Sequence, residues 1–312
     1  MLRTALLAVL AAGLAGPAAA VTIRVATFNA ALGREAAGAL TAELEAAPSV
    51  QAQAAIDVIR TVRPDILVLN ELDFDPERRA LGAFYRHLTA ADGIGAPLEL
   101  GFDVTLPVNT GVASGFDLDG DGMIGGPGDA WGYGRFAGQY GMAVLSRFVV
   151  DHGRVRSFRT FRWRDLPDNR LPRDFYGAAA AVMPLSSKSH WDVPVKLGRL
   201  GALHLLVSHP TPPVFDGPKD RNGRRNADEI RFWRHYIDGA GPWLVDDKGR
   251  AGGLDAGASF VVAGDLNLDP GDGAGRHAAI RALLAHPRIQ DPGQASKGGG
   301  EAAARQGGAN AA

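Results

Sequence analysis

Asp265 and Asn267 are, by type and spacing, the residues of this 312-residue chain best suited to chemistry. They close the stretch Phe260-Val261-Val262-Ala263-Gly264-Asp265-Leu266-Asn267, an apolar run of strand type that stops at a glycine. Two residues apart, they point to one face if the strand geometry persists. A carboxylate beside a carboxamide at the exit of a buried strand can orient a water and hold a phosphoryl oxygen. The plainer alternative is an Asx-rich turn closing the strand. Three more apolar runs repeat the pattern: Ile23–Phe28 leads into Asn29, Ile66–Leu69 into Asn70 and Glu71, and Leu203–Ser208 into His209. Ligands of α/β sheets gather at the carboxyl ends of strands, so four runs that each deliver a chemically capable residue outweigh four independent turns.

In that order, Ala26-Thr27-Phe28-Asn29, Asn70-Glu71, Ser208-His209 and Gly264-Asp265-Leu266-Asn267 resemble the endonuclease/exonuclease/phosphatase superfamily. This is the family of pancreatic-type deoxyribonucleases, exonuclease III-like repair enzymes, sphingomyelinases and inositol-polyphosphate phosphatases. The resemblance runs from about Val21 to about Leu284, and Gly141–Ser146 and His209–Pro213 look like stretches of secreted bacterial members. It implies an α/β four-layer sandwich, with two mainly antiparallel β-sheets face to face and helices outside. It also implies roles. Glu71, with Asn29 beside it, would place a Mg2+ (or Mn2+) ion, a hard cation that takes one or two carboxylates and keeps its waters. His209 would contact the scissile phosphate, Asp265 would manage the attacking water or a histidine partner, and Asn267 would stabilise charge on the phosphoryl oxygens. The alternative for these residues is strand-end polar groups facing water.

The superfamily pattern normally ends in an Asp-His pair after a late strand, and nothing after Asp265 matches it. His277 and His286 both belong to a helical stretch. The resemblance therefore implies that C-terminal strands and the last catalytic His are missing. The chain would be a fragment, or would have lost catalysis, or would borrow what it lacks.

Other groups extend the site. Lys188 and His190, in Ser186–Trp191, and Arg225, in the cluster Arg221, Arg224, Arg225, are candidates to clamp a phosphate; the alternative is solvated loop charge. His204 lies five residues before His209 and on the opposite face of its strand, which argues against a two-histidine zinc site and for a structural role. Asp117, Asp119 and Asp121, with Gly122 at the sixth position and Ile124 at the eighth, have calcium-loop spacing. The usual twelfth-position Glu is replaced by Gly128, with Asp129 next. A structural Ca2+ loop and a flexible Asp/Gly turn both fit. In 154–164 five Arg alternate with aromatics, which suggests a ribbon with Arg on its wet side rather than a base-stacking or lipid-facing surface.

The elements that position these groups read as β-α-β at the start. A strand at 22–28 is followed by an Ala-rich helical stretch at 33–46, then a helix over 50–62 capped by Ser49 and ended by Arg63-Pro64, then a strand at 65–70. A helix at 78–90 precedes a long Gly/Asp-rich loop from 93 to 138, and strands follow at 142–150, 178–184, 190–197 and 202–208. Asp216–Arg225 reads as a charged loop, with Asn226 and Glu229 as a helix start whose buried face holds Ile230, Trp233 and Ile237. A last helix is expected at 277–285.

An apolar content of 46% and a charged content of 21% describe a globular chain with a sizeable core. The formal net charge of -1 gives no overall basic field for nucleic acid, and the absence of cysteine excludes disulfides, thiolate chemistry and cysteine-zinc sites. Arg3, the apolar Ala5–Leu14 and Ala18-Ala19-Ala20 read as a signal peptide over 1–20, placing the mature chain outside the cytoplasm, secreted or periplasmic. One domain is expected over 21–290, then a disordered Gly/Ala-rich tail over 291–312. The expected function is a secreted, divalent-metal-dependent phosphoester hydrolase, of diesters by preference. The substrate class is open among nucleic acid, phospholipid head group and small phosphoester, and no obligate protein partner is expected. The alternative is a non-catalytic, calcium-stiffened binding or scaffold protein on the same fold.

Overall fold

The computed structural model describes residues 21–91, 94–293 and 297–306; the expected signal peptide lies outside them. Two four-stranded sheets form the centre. The first contains β1 (Val25–Leu32), β2 (Ile66–Leu72), β3 (Phe102–Val104) and β4 (Met142–Ser146) in the order β1-β2-β4-β3. The second contains β5 (Arg156–Ser157), β6 (His190–Lys196), β7 (Ala202–Ser208) and β8 (Ser259–Ala263) in chain order. Each sheet has one parallel pair, β1/β2 and β7/β8, and its other pairs are antiparallel.

Alternation along the strands builds the layers. Ile66 and Val68 of β2 and Met142 and Val144 of β4 face Trp191, Val193, Leu205 and Val207 of the second sheet in an apolar core between the sheets. Leu67, Leu69, Ala143 and Leu145 point the other way, under α1 (Ala39–Ala46), α2 (Val50–Val62) and α3 (Arg79–Thr89). Outside the second sheet, Leu206 packs with Tyr176 of the short α4 (Arg173–Tyr176), with Ile230, Trp233 and Ile237 of α5 (Arg221–Ile237) and with Ala279, Ile280 and Leu283 of α6 (Ala278–Leu284). The layers run helix, sheet, sheet, helix, as expected. The Ser49 side chain accepts from the Ala52 amide and Arg63 stops α2 in the left-handed region, both as read from the sequence.

Four expectations need correction. Residues 178–184 are not a strand: Gly177–Ala181 is a 3-10 turn, because its Gly/Ala run offers no side chains to pack on a sheet, and only Pro184 bridges to Arg162. The charged loop at 216–225 ends early, since α5 starts at Arg221; Asn226 and Glu229 are fully buried inside the helix and do not cap it. The 93–138 segment holds the short β3 and a 3-10 turn at Pro127–Asp129. In the tail, Lys297–Gln306 forms a helix, α7, where Glu301 and the Ala-rich run after it supply helix propensity. The 154–164 stretch is a strand only at β5: Phe158, Phe161 and Trp163 are in the core and Arg154, Arg162 and Arg164 face out, but Arg156 turns inward to pair with Asp246.

Candidate active site

Parallel pairing decides where the polar strand ends meet. Asn29 of β1 sits opposite Asn70 of β2, and Val207 of β7 opposite Ala263 of β8, so each pair ends at one level. The two pairs come from different sheets, and their ends meet across the sandwich. The Asp265 amide donates to Asn70 Oδ1 at 3.0 Å, and Asn29 Nδ2 donates to Glu71 Oε1 at 3.0 Å and to Asp265 Oδ2 at 2.9 Å. His209 Nε2 lies 3.8 Å from Asp265 Oδ2. The antiparallel partners begin at this same end: Met142 pairs with Asn70 and His190 with Ser208. This brings in Tyr140 and Lys188, which precede those two strands.

Local backbone geometry serves the junction. Gly264, at φ 138°, has no substitute, because a Cβ there would collide with the Ser208 carbonyl oxygen. Glu71 and Asn267 hold left-handed conformations at φ 60° and 52°. Such strain in non-glycine residues costs on the order of 1–3 kcal/mol each and gathers at functional sites. Strand geometry does not persist past β8. The Asn267 amide donates to Asp265 Oδ1 at 3.0 Å, so the Asx turn and the site are one feature. Asn267 Nδ2 donates to the Pro210 carbonyl at 3.0 Å, which ties the β8 exit to the loop after His209.

A cavity of about 700 Å³ opens beside these groups. Glu71, Lys188 and His209 line it, together with Tyr133, Tyr140, Tyr176, Ser187, Thr211, Arg221 and Arg225. Asn29 and Asp265 stand behind Glu71 and His209 through the contacts given above. Burial, and then the Lys188 charge, hold His209 well below its ordinary pKa, so its imidazole is neutral at neutral pH. Burial also lowers the Lys188 ammonium, against the attraction of Glu229, Glu71 and Asp265.

Several expected site residues lie elsewhere or act otherwise. His190 does not reach a phosphate. Its Nε2 pairs with the Glu229 carbonyl at 2.8 Å and its ring packs on Phe232 and Trp233, because the first residue of β6 faces α5. Asn29 turns its N–H to the two carboxylates, and its Oδ1 accepts from the Ala31 amide. Asp117 and Asp119 do form a cluster, but with Asp129 and not with Asp121; one oxygen from each of the three lies within 4.8 Å of the others. Gly128 lies against the Asp119 carboxylate, and the third carboxylate of the cluster comes from Asp129. His204 is structural, with Nδ1 2.7 Å from Asp192 Oδ1. His277 contacts the Asp269 and Gly273 carbonyls and His286 contacts Asp238, all outside the cavity lining.

Sequence reasoning missed the part played by Glu229. Buried in α5, it accepts from the Ser187 amide at 2.8 Å and from the Thr211 amide at 2.6 Å, holding the two loops that carry Lys188 and His209. Asn226, one turn earlier, donates to the Thr211 and Leu266 carbonyls at 2.9 and 3.0 Å. The available signal was two polar residues inside an otherwise amphipathic helix pattern.

The double mixed-sheet sandwich with a carboxylate–histidine cluster at its strand ends defines a four-layer α/β protein. The chain belongs to the Endonuclease/Exonuclease/phosphatase family, which matches it over residues 26–310. Among solved structures it is similar to an endonuclease/exonuclease/phosphatase from Beutenbergia cavernae, at 18% identity and TM-score 0.47 over 84% of this chain and 53% of that one. It is also similar to sphingomyelinase C from Streptomyces griseocarneus, at 18% identity and TM-score 0.45 over 85% of this chain and 70% of that one. A family protein from Leptotrichia buccalis matches at 13% identity and TM-score 0.43, over 85% and 72%. The chain thus spans about half the length of the first of these, 53%. No curated protein sequence matches the chain significantly. Among the described residues no helix is long and apolar enough to cross a membrane.

Proposed function

We propose that this chain carries the core of an exported, divalent-metal-dependent phosphodiester hydrolase in which water attacks phosphorus. The observation that supports this best is the meeting of Glu71, Asn29, His209 and Asp265 from four strand ends, with Glu71 and His209 lining the cavity and Asn29 and Asp265 behind them. Two carboxylates share one amide donor there and Glu71 borders open space, a donor set that suits a Mg2+- or Mn2+-type ion needing one or two carboxylates and its own waters. Glu71 would hold the ion, with Asp265 behind it, and the bound ion would supply Lewis-acid stabilisation of phosphoryl oxygens.

The protein groups do the rest by positioning. Phosphoryl transfer places charge on the equatorial oxygens, so fixed donors and positive potential matter more than covalent chemistry. Lys188 supplies a buried positive charge on the cavity wall. The neutral His209 ring faces Asp265 through Nε2, which favours the proton on that nitrogen and lets it donate to a phosphoryl oxygen. Asp265, fixed by the Asn267 amide on Oδ1 and by Asn29 on Oδ2, orients the water.

The test is hydrolysis of a chromogenic phosphodiester with Mg2+ and with chelator. Turnover that the chelator abolishes, and that Glu71→Ala lowers by about a hundredfold or more, is the expected result. Metal-dependent turnover retained by Glu71→Ala would overturn the assignment. The non-catalytic scaffold reading draws on His277 and His286 being engaged away from the cavity; chelator-sensitive turnover by the purified chain would reject it. The export part rests on the N-terminal pattern of Arg3, an apolar run and Ala18-Ala19-Ala20. A structural Ca2+ at Asp117, Asp119 and Asp129 is part of the same proposal, supported by their mutual approach.

A further inference from the structure

We propose that Phe215, with Tyr133 and Val214, forms a specificity wall at the cavity mouth that takes an uncharged apolar arm of the substrate, alkyl or aryl in type. The inference rests on the phosphoester reading above and narrows it to diesters with one apolar ester group.

Room is the first argument. A phosphoryl group fills a small part of a cavity of about 700 Å³, so the rest of the space belongs to the rest of the substrate. Glu71, Lys188 and His209 line it at the strand-end junction, whereas Tyr133, Pro212, Val214 and Phe215 come from loops. Pro212 and Val214 are half-buried, and Tyr133 and Phe215 are exposed, so all four offer surface to a ligand. The polar side chains beside them are engaged with protein. Asn222 Nδ2 donates to the Val214 carbonyl at 2.7 Å, and Arg221 donates to the Leu118 carbonyl at 2.7 Å and covers the Phe175 ring. Arg225 donates to the Leu185 and Pro184 carbonyls and feels the Glu229 carboxylate. All three belong to α5, which thus holds three stretches of wall in place before any ligand arrives.

The backbone of Phe215 is the second argument. Its ring is 96% exposed, more than any other large apolar side chain among the described residues. Its φ of 64° lies in the left-handed region, which a bulky residue rarely adopts. Such strain persists where the surroundings fix it, and ligand clamps are among the places where it gathers. The surroundings do fix it here. The residues on both sides are tied to Asn222: the Val214 carbonyl accepts from its side chain and the Asp216 carboxylate from its amide. On the other flank Pro213 lies against Gly275, where a Cβ would meet the proline ring. The loop therefore holds a phenyl ring in water, in a strained conformation, on the rim of the reactive cavity. An apolar group laid against that ring removes it from water.

The neighbours of the ring decide the type of arm. Pro212 and Val214 offer no side-chain donor or acceptor to the edge of a base, and the formal net charge of -1 gives no general attraction for a polynucleotide. The wall also borders a concave space, which suits one arm of a single molecule better than a flat surface.

Calorimetry in the presence of Mg2+ tests this with three monoesters, which are products of diester hydrolysis: methyl phosphate, hexyl phosphate and thymidine monophosphate. Hexyl phosphate should bind about tenfold tighter than methyl phosphate. Phe215→Asn removes the ring but keeps a residue that tolerates the left-handed backbone. It should cut that ratio to about twofold and leave methyl phosphate within about twofold of the unchanged protein, while Phe215→Tyr should keep the full ratio. The side chain is on the surface, so neither variant endangers the fold. Equal affinities for methyl and hexyl phosphate, or a Phe215→Asn effect equal on both, would overturn the wall and leave the phosphoester reading standing. Thymidine monophosphate binding tighter than hexyl phosphate would do the same in favour of a stacked base. Sedimentation with phosphatidylcholine vesicles that depends on Phe215 would overturn it in favour of a bilayer contact. Binding of none of the monoesters would overturn both readings.

Discussion

Glu229 illustrates how much one residue contributes without touching the reacting atoms. Its two oxygens each accept an amide from a different loop, so the carboxylate is a two-pronged tie between the Lys188 and His209 segments. Glu229→Gln keeps the shape but sets an NH2 group against one of those amides, and one loop loses its acceptor. A buried donor left unsatisfied costs about 1–3 kcal/mol, so the variant should melt several degrees lower while remaining folded. Loss of the anion also removes attraction for the Lys188 ammonium, whose pKa burial already lowers; it should fall further. The alkaline limb of the pH–rate profile should therefore move to lower pH, which a purely structural role would not cause. An unchanged limb with an unchanged melting point would remove Glu229 from the positioning set. Asn29, Glu71, His209 and Asp265 were legible in the sequence because each follows an apolar strand. Glu229 was not, since a polar residue three places after Asn226 also fits a helix start, and only the tertiary packing shows both inside α5.

At the scale of elements, the sequence showed the strands that end at the site more clearly than those that begin there. A strand end is marked by an apolar run followed by a polar residue. A strand start in an antiparallel partner leaves no such mark, which is why Tyr140 passed unread and His190 was mistaken for a phosphate ligand. Its neighbour Lys188 lines the cavity while His190 turns to α5. The Asp117–Asp129 segment shows the same limit. The spacing of alternating Asp named the loop, but its third carboxylate came from Asp129, which backbone curvature and not spacing delivers. The loop's own amides already bond these carboxylates: Gly120 and Gly122 donate to Asp117, and Leu118 and Gly125 to Asp129. A calcium ion would add to a preformed turn. Calcium at about a hundred times its dissociation constant should stabilise the fold by about 2.7 kcal/mol, seen as a higher melting temperature that Asp129→Asn abolishes and Asp121→Asn does not. No calcium-dependent shift would leave the loop as a self-satisfied Asx turn.

At the scale of the whole molecule, His190 makes the contact between the second sheet and the outer helix layer sensitive to acid. The residue begins β6, is 1% exposed, and is enclosed by Phe232 and Trp233 of α5. Burial lowers its pKa from 6.5 to about 4, only partly offset by its bond to the Glu229 carbonyl. The unfolded chain therefore takes up a proton as pH falls below 6.5, and the folded chain resists until about 4. The contribution is complete above the unfolded value and is lost as pH falls through this window, by on the order of 3 kcal/mol. His209, also held down by burial, acts with the same sign. Asp73 opposes both: burial raises its pKa from 3.8 to about 6, so its folded form gains relative to the unfolded chain as pH falls through that range. The bare melting curve of the protein mixes these effects, and a substitution separates them. His190→Gln keeps a donor for the Glu229 carbonyl but cannot titrate. It should be less stable than the unchanged protein at about pH 7.5, where the imidazole packs best, and the gap should narrow by about pH 4.5. A gap that stays constant over that range would mean that the cohesion of sheet and helix layer does not depend on a neutral His190.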